Sequence, residues 1–314
     1  MVGEGARPVV MWVPPYARPE HLTLLPAGVE PRRLPPHAPL SGSLGRGEIV
    51  VPSFDFALMR DAIPRIEGLR LIQTMSAGVD WILPAVPDGV VLCDAAGVHD
   101  ISVAEWVVAV ILAVWRRLPQ YRDQQRDARW ERPSTEDAGD ELDGASVLIL
   151  GYGSIGRATE RRLSPFGVEV VRVARRRRDG VHAVDRLATL LPDVDIVVVL
   201  LPLTAETQNL VDARFLARMR PGALLVNAAR GGVVDTAALV DAAGNGRIRV
   251  ALDVVDPEPL APDHPLWRMP GVLITPHVAG ATSRFRERAW RLVADQARRY
   301  LAGEPLRNVV SDGY

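Results

Sequence analysis

"VLILGYGSIGRATERRLSPFGVEVVRVARRRRDG", residues 147–180, opens as a strand, a glycine-rich turn and a helix and ends in four consecutive arginines. An apolar run ends at Gly151 and passes through Tyr152, Gly153, Ser154 and Ile155 to Gly156, where a helical stretch begins. A GxGxxG spacing between strand and helix is a dinucleotide fingerprint. Its glycines permit the tight turn, the approach of backbone to pyrophosphate and close helix–strand contact, while the helix N-terminus favours negative charge. NAD-binding versions place an acid about 20 residues downstream, on the ribose hydroxyls. Here the second strand ends at Val173–Ala174, no carboxylate follows until Asp179, and Arg175, Arg176 and Arg177 stand in its place. A guanidinium fork matches a phosphate. The exchange predicts NADP as the cofactor, with NAD possible, and assigns Arg175 and Arg176 to a 2′-phosphate.

Outward from this unit, apolar strands are expected at about 146–150, 168–173, 195–201, 223–228, 248–254 and 272–275, separated by helical or loop stretches. Such alternation predicts a doubly wound parallel sheet covered on both faces. Upstream, "ISVAEWVVAVILAVWRR" (101–117) reads as a long, largely apolar helix and is followed by a polar, poorly periodic arm on the surface. Residues 1–97 alternate short apolar runs with polar stretches, as a small α/β layer would, and 282–301 is amphipathic.

Composition bounds the remaining choices. With 314 residues, 48% hydrophobic and 24% charged, the chain fits a globular protein of two domains. A net charge of −1 gives no reason to expect nucleic acid or an anionic membrane as partner. The single cysteine, Cys93, excludes an internal disulfide and suits a buried small hydrophobe in a reducing compartment. No run reaches the length of a membrane span and the N-terminus lacks a signal-peptide pattern, so a cytoplasmic location is expected. The carboxylates show no clustered ligand spacing, and no metal is expected.

In an open α/β sheet, ligands bind beyond the carboxyl ends of the strands. Three side chains stand there: Arg230 after "ALLVNAA", Glu258 after "VALDVVDP" and His277 after "VLITP". A His beside a carboxylate can be held protonated near neutral pH, and an Arg can grip a carboxylate with two donors. Together they suit reduction of a 2-keto acid.

"GYGSIG", "LLPLTAETQNLV", "LLVNAARGGVVDTAALVDAA", "ALDVVDPEPL" and "LITPHVAG" resemble, in order and spacing, the motifs of the D-isomer-specific 2-hydroxyacid dehydrogenase family. The resemblance covers about residues 70–310. It implies two Rossmann-like domains: a dinucleotide-binding domain over 98–284 and a smaller, flavodoxin-like substrate domain from 1–97 and 285–314, with a cleft between them. It also implies a homodimer built through the cofactor domain. Arg230 is expected to bind substrate, His277 to act as acid/base, and Glu258 to orient and charge His277. The backbone of Ser76, Ala77, Gly78 and Val79 is expected to hold the substrate carboxylate. Leu201, Pro202, Thr204, Ala228, Ala229, Arg230, Asp253, His277 and Gly280 are expected to border the cofactor.

Two departures stand out: Ala174 in place of the usual strand-end Asp, and His99 where many members have Asn ahead of "SVAE". His99 reads as an ordinary loop histidine. Trp81, Trp106 and Trp267 fall in or near segments expected to line the cleft, where their bulk would narrow it to small substrates, or else they serve as core aromatics. The expected activity is NADPH-preferring reduction of a glyoxylate- or hydroxypyruvate-type acid to the D-2-hydroxy acid. A phosphite- or formate-type dehydrogenase is the first alternative, with Glu258 counting against the formate type. The second is a dinucleotide-sensing, corepressor-like protein, whose long interaction tails contrast with a chain that stops at Tyr314.

Overall fold

The computed structural model describes residues 7–135 and 138–311. Residues 1–6, 136–137 and 312–314, which take in the start of the N-terminal segment, two residues of the polar arm and Tyr314, lie outside the described residues. The chain divides into two compact units, Met1–His99 with Ser283–Tyr314, and Asp100–Thr282.

In the first unit, strands β1 (Val9–Val13), β2 (Val29–Arg33), β3 (Ile49–Val50), β4 (Leu71–Gln73) and β5 (Val91–Cys93) form a parallel sheet of order β2-β1-β3-β4-β5. Side chains alternate across it with the strand period of two. Met11, Val13, Ile49 and Leu71 meet Ala289, Trp290 and Val293 of the C-terminal helix Phe285–Ala302 on one face. Trp12, Val50 and Ile72 meet Met59, Ile63 and Ile82 on the other. Cys93 is fully buried in the first of these layers, and burial pushes its thiol up to about 11.

The second unit holds β6 (Ser146–Leu150), β7 (Glu169–Ala174), β8 (His182–Ala183), β9 (Ile196–Val199), β10 (Leu224–Asn227), β11 (Arg249–Leu252) and β12 (Val272–Ile274). They run parallel in the order β8-β7-β6-β9-β10-β11-β12, so the connections reverse direction between β6 and β9. Ligands of doubly wound sheets bind at that reversal. Both faces are covered, which explains the continuous apolar runs: Leu148, Val197, Leu225 and Val250 face one layer. Val147, Ile196, Leu224 and Ala251 face the other, built largely on Val103, Val107, Ile111 and Val114 of helix α1 (Asp100–Trp115).

β7 ends at Ala174, within the expected Val173–Ala174 end, while β9, β10 and β11 are each shorter than expected by a residue or more at both ends. The apolar helix stops at Trp115, and Arg117 turns the chain with a left-handed backbone (φ 54°). The arm then opens with a further helix, α2 (Leu118–Arg126). None of the residues of α2 is buried, so it shows no apolar stripe from which a helical period could be read.

Candidate active site

The glycine loop follows directly from β6. Gly151 has φ +104°, and a Cβ there would stand 2.6 Å from the backbone carbonyl of Leu200. A Cβ on Gly156 would stand 2.9 Å from the Gly151 oxygen, whereas one on Gly153 would meet nothing within 4 Å. Gly151 and Gly156 are thus demanded by packing, and Gly153 leaves open space above the loop. Amides of Gly151 and Tyr152 donate to the Val173 carbonyl at 2.9 and 3.0 Å, which ties the loop to β7. Helix α3 (Ser154–Leu163) starts with Gly153 as its N-cap, and no side chain caps its first-turn amides. Those amides have no partner inside a helix, so a glycine-lined loop feeding them fits a pyrophosphate.

Around this loop the charges are paired with care. Tyr152 donates its hydroxyl to Glu160 of α3, and the Arg172 Nε of β7 donates to both Glu160 oxygens at 3.0 Å. The Arg172 guanidinium also lies 5.7 Å from the centre of the Tyr152 ring. Its bonds hold the Glu160 carboxyl below the usual carboxylate range. Beyond Ala174, Arg175, Arg176 and Arg177 are exposed. Arg178 closes the turn by exchanging backbone bonds of 3.2 and 3.0 Å with Val181, and its guanidinium donates to the Tyr152 carbonyl. That anchoring role was not legible from a run of four identical residues.

After β9, Leu201 is buried and the Pro202 carbonyl accepts the Thr207 hydroxyl at 2.6 Å. Thr204 donates its hydroxyl to Glu206 at 2.8 Å. That bond first, and the Arg175 charge last, lower the Glu206 carboxyl below its usual range, which brings Arg175 and the Thr204 loop into one neighbourhood. After β10, Ala228 and Ala229 form a turn stapled by Asn227, which sequence reasoning missed. Its buried side chain takes the Ala229 amide at 3.1 Å and donates to the Arg230 carbonyl at 3.0 Å. The only signal was a polar residue closing an apolar strand. Arg230 is half-buried on extended backbone, and its Nη1 donates to the Ala229 carbonyl at 2.8 Å. A Cβ on the next residue, Gly231, would stand 1.9 Å from the Val255 carbonyl oxygen.

His277 and Glu258 meet: Nδ1 lies 2.7 Å from Oε1 with both side chains nearly half exposed. Asp253, placed beside the cofactor by the family resemblance, is only 3% exposed and spends its carboxylate on the His277 loop. Its oxygens accept from the Thr275 hydroxyl at 2.6 Å and from the Val278 and Ala279 amides at 2.8 Å. Gly280 follows that loop, half-buried.

In the first unit, Ser76 leads the turn after β4. Its hydroxyl donates to the Gly78 carbonyl at 2.8 Å, and the Trp81 indole donates to the same carbonyl at 3.1 Å, so Trp81 braces the Ser76–Val79 backbone. His99 is engaged within its own unit, with Nε2 3.0 Å from the Met75 carbonyl and its ring stacked on Phe285 at 4.8 Å. Trp106 donates to Thr275 at 3.1 Å, and Trp267, exposed, donates to the Ala261 carbonyl at 2.8 Å. Among the described residues, no helix is long and apolar enough to cross a membrane, and no three His, Cys, Asp or Glu side chains gather as a metal site.

A family model described as D-isomer specific 2-hydroxyacid dehydrogenase, NAD binding domain, matches residues 108–279. The chain belongs to this family. It is therefore an oxidoreductase with a nicotinamide-dinucleotide domain. It is 40% identical over 259 residues to glyoxylate reductase of Thermofilum pendens, a match covering 79% of this chain and 76% of that one. D-3-phosphoglycerate dehydrogenase of Archaeoglobus fulgidus is 32% identical over 286 residues, which take in 85% of this chain and 54% of that longer protein. An NADPH-dependent glyoxylate/hydroxypyruvate reductase of Sinorhizobium meliloti, solved with NADP and sulfate, superposes with a TM-score of 0.82 at 28% identity, covering 98% of both chains.

The approach of Gly231 to Val255 ties the Arg230 turn to the segment leading into Glu258. Gly231→Ala forces the two apart, and displacements of about 1 Å can cost about 10²-fold in rate. We expect kcat/KM for the dehydrogenase reaction to fall by about that factor with the circular dichroism of the fold retained. Wild-type kinetics in this variant would mean that the two turns are not coupled.

Proposed function

We propose that the chain reduces a small 2-keto acid of the glyoxylate/hydroxypyruvate type to the D-2-hydroxy acid and prefers NADPH. The observation that carries this reading is the His277–Glu258 pair at 2.7 Å, standing at the same sheet edge as the Arg230 turn. The glyoxylate reductase of T. pendens and the NADP-bound reductase of S. meliloti support it.

The roles follow from the chemistry of each group. Glu258 engages Nδ1, which leaves Nε2 as the atom through which His277, as imidazolium, gives a proton to the keto oxygen. Arg230 grips the substrate carboxylate and polarises the keto oxygen. The amides of Ser76, Ala77, Gly78 and Val79 are assigned to the same carboxylate. Gly151 to Gly156 hold the pyrophosphate, Arg175 and Arg176 the 2′-phosphate, and Leu201, Pro202, Thr204, Ala228, Ala229, Asp253 and Gly280 border the remainder. When bound, the nicotinamide supplies the hydride. On this reading the unit Asp100–Thr282 is the dinucleotide domain and the other unit the substrate domain. A single cysteine, Cys93, buried in the core, suits the cytoplasm.

A panel of 2-keto acids with NADPH and NADH in parallel tests the whole reading. Within it, His277→Ala should lower turnover by about 10²–10⁴-fold, as loss of a general acid does. Glu258→Gln keeps the shape of the side chain but removes the carboxylate that engages Nδ1, so kcat should fall by about tenfold or more while KM for NADPH holds. A wild-type kcat in this variant would break the pairing.

Cofactor choice is tested at the end of β7. Charge-assisted hydrogen bonds contribute about 1.5–3 kcal/mol each, so one or two on a 2′-phosphate should favour NADPH at least about tenfold in kcat/KM. Ala174→Asp combined with Arg175→Ala should weaken NADPH use and improve NADH use together; equal use of both cofactors by the wild type would count the arginines as a solvated turn.

Assembly is proposed as a homodimer, because Leu118 and Trp130 of the polar arm are 53% and 90% exposed, a large apolar area for one chain to leave in water. Light scattering at micromolar concentration should read twice the chain mass, and a monomer mass would end that proposal.

A further inference from the structure

His277 carries its imidazole on a left-handed backbone, φ 52°, one of five non-glycine residues of this kind among the described residues. Such a conformation is costly for a side chain with a Cβ and persists only where the surroundings over-determine it. Here they do so through one buried residue, Asp253. The His277 amide donates to the Asp253 carbonyl at 2.8 Å, and the next two amides close on the Asp253 side chain. The fourth support is the Thr275 hydroxyl, which donates its proton to Asp253 Oδ1 at 2.6 Å.

A threonine hydroxyl has one proton and can point it in several directions. What selects the direction is on helix α1: the Trp106 indole N–H, a donor only, reaches the Thr275 oxygen at 3.1 Å. With that lone pair occupied, the proton is left for Asp253. The indole itself is half-buried and packs on the apolar layer between α1 and the sheet, so its N–H is held by the core. We infer that Trp106 is a positioning residue for the proton donor: through Thr275 and Asp253 it holds the His277 loop in its left-handed turn. This rests on the reading of His277 as proton donor, and it assigns Trp106 a role other than narrowing the substrate space.

The test uses the full chain with Trp106→Phe, which keeps an aromatic ring and removes the N–H. In the protein without cofactor, amide exchange of Val278 and Ala279 should quicken about tenfold, as expected when a local opening is made easier. In steady state with NADPH and glyoxylate or hydroxypyruvate, kcat should fall about tenfold while KM for NADPH stays within about twofold, the split expected of a misplaced catalytic group. The isotope effect on kcat with C4-deuterated NADPH should rise. A loss of folded protein alone would move neither the isotope effect nor the local exchange.

Thr275→Val should reproduce these changes, Thr275→Ser should restore wild-type behaviour, and the double variant Trp106→Phe/Thr275→Val should be no worse than the worse single one. The inference is overturned if Trp106→Phe exchanges and turns over like the wild type, or if the losses of the two single variants multiply in the double. Should Trp106→Phe fail to fold, the Thr275 pair decides, and a serine that behaves like valine overturns it. Absence of wild-type turnover, or full turnover by His277→Ala, would overturn the underlying reading as well. Turnover abolished in His277→Ala but normal in Trp106→Phe overturns this inference alone.

Discussion

A carboxylate removed from water must be met by donors, and the donors that meet Asp253 determine the shape of the sheet edge that carries His277. Asp253 is the first residue beyond β11, buried to 3% exposure, and it is satisfied by one hydroxyl and two backbone amides from the segment after β12. Satisfying it folds that segment back on the strand end and leaves His277 at its crest. The same chain exit continues to Val255, whose carbonyl lies where only Gly231 can pass, and then to Glu258, which reaches His277. Six residues after one strand therefore set the positions of the three side chains assigned to chemistry.

The cofactor end of the sheet is organised by a different constraint, the close passage of backbone past backbone. Gly151 lies against Leu200 and Gly156 against Gly151, so the loop cannot relax away from the sheet. Arg178, through the Tyr152 carbonyl, fastens the arginine turn to that loop. The arginines of this region are consequently not equivalent. Arg172 belongs to Glu160 and the Tyr152 ring, Arg178 to the turn itself, and Arg175 stands near Glu206. A run that looks like uniform charge in one dimension is divided by its surroundings into struts and exposed cations.

Much of this was determined by the sequence alone. The glycine spacing between an apolar run and a helical one, the strict alternation after residue 146, and polar residues at successive strand ends suffice for a doubly wound sheet and for Arg230, Glu258 and His277. These are local regularities, set by strand and helix periods and by the few residues that tolerate a tight turn. Tertiary structure decided the rest. Helix α2 has no buried face and therefore no period to read. Asn227 and Asp253 each look like one polar residue at a strand end, and only the folded chain shows that one staples a turn while the other carries a loop. Trp106 and Thr275 are 169 positions apart, and no rule of spacing pairs them. Their contact exists because α1 packs on one face of the parallel sheet, and a hydrogen bond between distant residues is a property of that packing.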